Sequence, residues 1–217
     1  MAHNTVADMS GFELGMPALV CRWRIYNRHL PLANRHLRAL LARQVQGKPL
    51  TKELVAWAKQ HIEWTLEQGA VEYPQGVLML ILDTEGRAAM TVGPFEPLED
   101  TRLDYLIHRA EKAQVEAAQT HVAPETLWLA RNDMLLWDQG DLCVPSGASS
   151  LVAQLAQTMG IRVQPYQGLL DGVATGALTY DEAFLVSDEF GIVPASDRRG
   201  SHGVRMAQGY QRLIERA

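Results

Sequence analysis

The feature of this sequence that most restricts its fold is an uninterrupted apolar run, Gly76-Val77-Leu78-Met79-Leu80-Ile81-Leu82. It is far shorter than the roughly 20 residues that an α-helix needs to cross a bilayer, so we expect no membrane span. A short apolar run that stops at turn residues, here 83–86, is typical of a strand with both faces buried. The run therefore predicts a central strand, and residues 88–92 are predicted to return beside it as a hairpin partner.

Helix and strand patterns alternate along the rest of the chain. Apolar residues three and four positions apart predict helices, and short apolar runs between turn residues predict strands. The predicted helices are a short one that Asn34 caps before Gly47, then 51–69, 101–119, 146–159 and 204–216. The predicted strands are 126–129, 134–137, 142–144, 161–163, 183–186 and 191–193, and residues 168–176 are predicted to form a glycine-rich loop. This order predicts a mixed α/β protein.

The segment Gly93-Pro94-Phe95-Glu96-Pro97 interrupts the pattern, because each proline removes an N–H donor and fixes φ. We place a domain boundary there. It divides the chain into an N-terminal α/β lobe (1–94) and a C-terminal β-rich lobe with helices (95–217). A chain of 217 residues, 47% of them hydrophobic, is long enough to bury either one large core or two modest ones.

Charge and cysteine content exclude several classes of function. The net charge of −5 and the pI of about 5.8 disfavour binding to a phosphodiester backbone, so we expect no nucleic-acid partner. Cys21 and Cys143 form no CxxC pattern and the histidines show no metal-ligand spacing, so we expect neither a disulfide framework nor a metal site. Residues 1–8 lack the features of a secretory signal. These observations predict a cytoplasmic protein.

Two groups of residues are shared with a known family. The first is Cys21-Arg22-Trp23-Arg24-Ile25-Tyr26-Asn27, followed by Leu30-Pro31-Leu32 and Arg35-His36-Leu37. The second is Tyr180-Asp181-Glu182-Ala183-Phe184-Leu185 with Gly191-Ile192-Val193-Pro194, together with Asn132 and the turn 140–145. These stretches resemble class IV aminotransferases, the family of the branched-chain and D-amino-acid aminotransferases and 4-amino-4-deoxychorismate lyase. The resemblance implies a two-lobed α/β (α+β) fold with a smaller N-terminal lobe, a homodimer, and pyridoxal phosphate (PLP) as the cofactor.

The resemblance also implies where an anionic group would bind. Arg24 falls on the family's arginine for the cofactor phosphate. The start of the fourth predicted helix replaces the family's glycine-isoleucine-threonine-arginine helix start. Independently of the resemblance, free N–H groups at a helix N-terminus attract anions. The candidate residues for this site are Arg24, Ser146, Gly147, Ser149, Ser187 and Asp188. Two alternatives stay open, since Arg24 could instead form a surface ion pair and a serine could simply cap the helix.

Three departures from the family affect residues that take part in its chemistry. Thr101 stands where the family has its Schiff-base lysine, and because a hydroxyl cannot form an imine, we interpret Thr101 as a helix N-cap. Leu127 stands in place of the glutamate that pairs with the pyridine nitrogen, and the charge of Asp188 would oppose a phosphate. Lys112 is the only lysine in the second lobe. It would lie about 16 Å from Thr101 along a helix, too far to replace the missing amine.

Two functions fit these observations. The first is a degenerate relative that has lost PLP catalysis, is expected to hold no cofactor, and binds a small anionic molecule or a partner. The second is an active PLP-dependent transaminase or lyase that acts on an amino acid or an aminodeoxychorismate-like substrate. The family's phosphate threonine falls near Asp188, and the simultaneous loss of this threonine, the lysine and the glutamate favours the first function.

Overall fold

The computed structural model of the protein describes residues 13–138, 140 and 143–216, and their architecture is mixed α/β, as the sequence predicts. The first part of this region contains a three-stranded antiparallel sheet in the order β1-β4-β5. The elements up to this sheet's last strand are β1 (Pro17–Arg24), α1 (Ala33–Leu41), β2 (Gln44–Val45), β3 (Lys48–Pro49), α2 (Lys52–Gly69), β4 (Val77–Asp83) and β5 (Ala88–Gly93).

The apolar run identified in the sequence is the central strand β4, between β1 and β5. Leu78 and Leu80 are fully buried in this strand, and side chains from α1 and α2 pack into the same core. The side chain of Thr51 caps α2 by accepting a 3.2 Å hydrogen bond from the backbone N–H of Leu54. Hydrophobic burial in β4 therefore organises this part of the chain.

The rest of the chain forms a five-stranded sheet in the order β10-β9-β6-β7-β8. Its elements are α3 (Leu103–Thr120), β6 (Glu125–Arg131), β7 (Met134–Trp137), α4 (Gly147–Thr158), β8 (Arg162–Pro165), α5 (Leu169–Ala174), β9 (Glu182–Ser187), β10 (Gly191–Pro194) and α6 (Ser201–Ile214). Neighbouring strands are antiparallel except β7 and β8, which are parallel.

Strands β6 and β9 lie at the centre of this sheet, and almost every residue in them is buried. Because side chains alternate along a strand, Trp128 and Phe184 face one core with α4 and α6. Leu127 and Leu185 face the other core with α3. Both faces of the sheet are thus covered by helices.

Buried carboxylates at the two ends of β9 support neighbouring helices. Glu182, the first residue of β9, accepts hydrogen bonds from the backbone N–H groups of Gly203 (2.9 Å) and His202 (3.1 Å) in the first turn of α6. Asp188, the residue after β9, accepts a hydrogen bond from the backbone N–H of Ala148 in the first turn of α4. Both acids satisfy N–H groups that a helix cannot satisfy within itself.

Two predicted N-caps are wrong. Helix α1 begins at Ala33 and its cap position is Leu32, so Asn34 lies inside the helix. Helix α3 begins at Leu103, and Thr101 does not cap it. The carboxylate of Asp197 fills that role, because it accepts a 2.9 Å hydrogen bond from the N–H of Leu103. The helix therefore needs no serine, threonine or asparagine as its N-cap.

Two other local predictions are also corrected. The predicted glycine-rich loop 168–176 contains the short helix α5, because Asp138 accepts hydrogen bonds from the first N–H groups of this segment and Leu169 and Leu170 are buried. The predicted strand 142–144 is absent at Cys143 and Val144, while Leu142 lies outside the described residues. The division into lobes at residue 94 stays a prediction. Within the described part of the chain, no helix is both long and apolar enough to traverse a bilayer.

Candidate functional site

The turn between β9 and β10 brings most of the candidate residues together. Ser187 closes the turn, because its hydroxyl oxygen accepts hydrogen bonds from the N–H groups of Glu189 (3.2 Å) and Phe190 (3.1 Å). The same hydroxyl donates to Glu125 at 3.0 Å. The turn is almost completely buried, and its acidic side chains therefore require partners inside the protein.

Asp188 is the central residue of this turn and is only 4% exposed. Its Oδ1 accepts a 2.7 Å hydrogen bond from the backbone N–H of Ala148, in the first turn of α4. Its Oδ2 lies 3.5 Å from His36 Nδ1, an ion-pair distance. Burial alone would raise the pKa of Asp188, but His36, the Ala148 N–H and Arg43 together hold that pKa below its ordinary value. Asp188 is therefore an internal anion at a helix N-terminus.

The position of His36 depends on a glycine and an aromatic ring. A Cβ atom on Gly147 would lie 2.4 Å from His36 Nδ1, so no larger residue fits there. On its other side the imidazole stacks on Trp23, with ring centroids 5.0 Å apart and planes 16° apart. His36 is 2% exposed, and α1 thereby reaches the start of α4.

The serines at the start of α4 have partners within the protein. Ser146 is the N-cap, and its hydroxyl oxygen accepts a 3.3 Å hydrogen bond from the N–H of Ser149. The Ser149 hydroxyl lies 2.8 Å from that of Thr126. Ser146, Gly147 and Ser149 therefore lie at the helix start whose Ala148 N–H binds the carboxylate of Asp188, and Ser187 precedes Asp188 in the turn. This geometry agrees with the interpretation that a serine caps the helix.

Arg24 is separated from this cluster. Its backbone N–H donates a 3.1 Å hydrogen bond to the carbonyl oxygen of Asp188, but its guanidinium carbon lies 3.3 Å from the centre of the Phe95 ring. Among the described residues the Arg24 side chain forms no ion pair, and its Nη1 is buried without a hydrogen-bond partner. The geometry therefore agrees neither with a phosphate ligand at α4 nor with a surface ion pair.

A cavity of about 280 Å³ lies on the other side of the turn, between β1 and α3; we call it the α3 cavity. Arg22 holds Glu189 through contacts of 2.5 and 2.7 Å, and Arg109 holds Glu125 through contacts of 2.9 and 2.8 Å. Four acidic side chains line this cavity together with Arg22, Arg109 and Lys112. Two of the cations are thus neutralised by acids of the same wall.

Lys112 is the third cation of the α3 cavity. From the sequence, this lysine was expected to be too distant from the family's reactive position, yet it lines the same cavity as Ser187 and Asp188. Its side chain is exposed, and the carboxylates of Glu116 and Asp188 share the wall with it. Lys112 is therefore the lysine that any test for a bound aldehyde must include.

The residues at the family's other reactive positions do not fit PLP. Thr101 has no amine, and its carbonyl oxygen accepts a 2.8 Å hydrogen bond from the N–H of Ser196. Leu127 is 2% exposed and packs in the apolar core below α3, where it cannot contact a pyridine nitrogen through a charge. Asp188 already uses the Ala148 N–H that an external phosphate would need. The residues at these three positions therefore do not fit PLP.

Comparisons with known proteins show the fold. No protein-family model and no curated protein sequence matches the chain. A putative branched-chain amino acid aminotransferase from Thermotoga maritima matches with a TM-score of 0.61 and 16% identity, over 91% of this chain and 86% of that one. A putative 4-amino-4-deoxychorismate lyase from Legionella pneumophila matches with a TM-score of 0.61 and 12% identity, over 95% and 97%.

A third match is the PLP-bound form of a hypothetical aminotransferase from Mycobacterium tuberculosis, with a TM-score of 0.60 and 13% identity over 92% of this chain and 89% of that one. A fold IV transaminase from Curtobacterium pusillum matches as well, with a TM-score of 0.57. The protein therefore has the class IV aminotransferase fold, and this expectation from the sequence is confirmed. Identities of this size show the fold alone.

Proposed function

We propose that this protein is a class IV aminotransferase-like protein that has lost PLP catalysis and binds a small anionic molecule. The observation that carries the proposal is the 2.7 Å hydrogen bond from the Ala148 N–H to the buried carboxylate of Asp188. The free N–H groups of this helix start were expected from the sequence to receive an external anion. A side chain of the protein itself supplies the negative charge here.

Electrostatics argues against adding a phosphate beside Asp188. Two unit charges 4 Å apart repel by roughly 4 kcal/mol at the effective dielectric constant of a protein, and a phosphate carries more than one charge. Asp188 cannot easily accept a proton to relieve this repulsion, because its surroundings lower its pKa. A bound phosphate would therefore have to displace the carboxylate and leave it buried without its partner.

The missing amine is the second support. Imine formation needs a primary amine, and the residue at the family's lysine position is Thr101. Among the four lysines of the chain, Lys112 alone lines the α3 cavity. The acidic side chains around it make that cavity a poor receptor for an anionic aldehyde.

Borohydride trapping tests the proposal. The purified protein is incubated with equimolar PLP and reduced, and the adducts are located by peptide mass spectrometry. Lys112→Arg and Lys59→Arg serve as matched variants, because Lys59 is exposed on α2 and keeps the comparison equal in charge. We expect no lysine to carry a stoichiometric adduct. A stoichiometric adduct on Lys112, with transaminase turnover that Lys112→Arg abolishes, would show that catalysis persists.

We also propose a cytoplasmic homodimer without a nucleic-acid partner. The family resemblance supports the dimer, and the net charge of −5 supports the lack of affinity for nucleic acid. Sedimentation velocity at several protein concentrations tests the oligomeric state. A species of 24.1 kDa at all concentrations would contradict the dimer.

A further inference from the structure

A second cavity, of about 430 Å³, lies on the side of the β9–β10 turn opposite to the α3 cavity. We call it the α6 cavity, because α6 forms one wall and the end of β1 forms another. The residues that matter for its chemistry are Arg24, Tyr26, Phe95, Phe190, Ala207 and Tyr210. Thr101 and Leu127, at the family's reactive positions, do not line this cavity. Arg24, which the resemblance assigns to the cofactor phosphate, does line it.

The Arg24 guanidinium lines the α6 cavity without a hydrogen-bonded acid, although the nearby carboxylate of Glu189 favours its charged form. No described residue accepts a hydrogen bond from its side chain, and its Nη1 is buried without a partner. The one carboxylate in the lining, Glu189, is held by both contacts of Arg22 on the other side of the turn. A buried donor without a partner is costly, by about 1–3 kcal/mol, so an anion in the cavity would be stabilised.

The remaining walls are mainly aromatic. The Phe95 ring covers the face of the Arg24 guanidinium and lies 5.9 Å from the Phe190 ring, at an angle of 54°. Tyr210 is 4% exposed, and its hydroxyl makes no hydrogen bond to any residue that the structure describes. Burial raises the pKa of Tyr210, so the hydroxyl keeps its proton and can donate. Aromatic side chains beside the donors of Arg24 and Tyr210 suit a ring that carries one acidic group, and Gln208 and Gln211 add polar groups to the wall.

We propose that the α6 cavity binds a small aromatic monocarboxylate, with the carboxylate on Arg24 and the ring between Phe95, Phe190 and Tyr210. This site deepens the proposed function, because it gives the anionic ligand a location and a chemical class. A guanidinium forms short, charge-assisted hydrogen bonds to a carboxylate, and the rings contribute stacking and burial. A dianionic phosphate would lack a second free cation here, since the other two arginines near the turn, Arg22 and Arg109, are already paired with Glu189 and Glu125.

Binding of 2-naphthoate to the purified full-length protein tests this site. The affinity is measured by ligand fluorescence and by calorimetry, with acetate as the probe that lacks the ring and 2-naphthalenemethanol as the probe that lacks the charge. Arg24→Met removes the charge, and Arg205→Met is the matched control, since Arg205 is exposed on α6 and does not line the cavity. Ala207→Leu keeps Arg24 and fills the cavity, and leucine suits a helix.

We expect saturable binding of 2-naphthoate and weaker binding of both partial probes. Arg24→Met should weaken 2-naphthoate binding at least tenfold, Ala207→Leu should weaken it as well, and Arg205→Met should leave it unchanged. Absence of binding, or equal affinity of the protein and Arg24→Met, would overturn the site. A stoichiometric PLP adduct on Lys112 with transaminase turnover would instead overturn the proposed loss of catalysis and leave this result standing.

Discussion

The carboxylate of Asp188 accepts a 2.7 Å hydrogen bond from the backbone N–H of Ala148, so the start of α4 is satisfied by a residue 40 positions away in the chain. This contact has a chemical consequence, because the sequence predicts that the same helix start receives an external anion. The protein keeps the geometry of an anion site and provides the anion. Its relation to a PLP enzyme can therefore be tested at one residue.

Replacing Asp188 with asparagine should lower the free energy of unfolding by about 2–4 kcal/mol, since the substitution removes a buried charge from His36 and weakens the bond to Ala148. Urea denaturation at pH 7 measures the change. Asp133→Asn is the control, because Asp133 is exposed in the turn between β6 and β7 and should change the stability by less than about 0.5 kcal/mol. Equal effects of the two substitutions would show that Asp188 is not a stabilising anion.

The shorter variant Asp188→Ser should gain affinity for inorganic phosphate. It frees the N–H of Ala148, leaves His36 without its acid, and adds a hydroxyl donor. We expect phosphate to raise the melting temperature of Asp188→Ser by a few degrees, at about 2–4 °C per kcal/mol of binding, relative to chloride at equal ionic strength. The unsubstituted protein should show no such difference, and a phosphate effect of the same size in both would contradict the assignment.

Asp188 also predicts how stability depends on pH. Its pKa in the folded protein is below the ordinary value, so the unfolded chain binds more protons than the folded protein as the pH falls below about 5. Stability from this group is present above that range and is lost on acidification through the folded pKa. The difference in unfolding free energy between the protein and Asp188→Asn should therefore shrink from pH 7 to pH 3. A difference that stays constant across this range would contradict the prediction.

Cys21 should be unreactive in the folded protein. It is 1% exposed in β1, and burial raises the pKa of its thiol to about 11, so almost no thiolate exists at pH 8. In a Cys143→Ser variant, iodoacetamide at pH 8 should leave the protein unmodified in buffer and add one carbamidomethyl group in urea. Rapid modification of the folded variant would show that β1 opens to solvent.

The sequence predicts the parts of this fold that depend on neighbouring residues. The apolar run of β4 forms a strand in which Leu78 and Leu80 are fully buried, and β6 and β9 are almost continuously buried because both faces of their sheet are covered. Thr51 and Ser146 cap helices that begin one residue later, so their role is visible in the local sequence. The sequence therefore predicts an element correctly where contacts between neighbouring residues determine it.

Contacts between distant residues explain what the sequence could not predict. Thr101 and Asn34 have the chemistry of N-caps, but an aspartate from beyond β10 takes the first role, and α1 begins before Asn34. His36 was quoted only as part of a family motif, and nothing in its neighbours indicates that it faces Asp188. The pairing of Arg22 with Glu189 is equally distant in sequence. These contacts decide the chemistry of both cavities.

The carboxylates of Glu182 and Asp188 at opposite ends of β9 link the completion of two helices to one strand. The N–H groups of Gly203 and Ala148 can bind these carboxylates only when β9 has joined the sheet, so both helix starts depend on the same strand. The amide hydrogens of Gly203 and Ala148 should consequently exchange with solvent through a common opening event, although they belong to separate helices. The two acidic side chains that flank β9 thus couple the starts of two helices to a single strand.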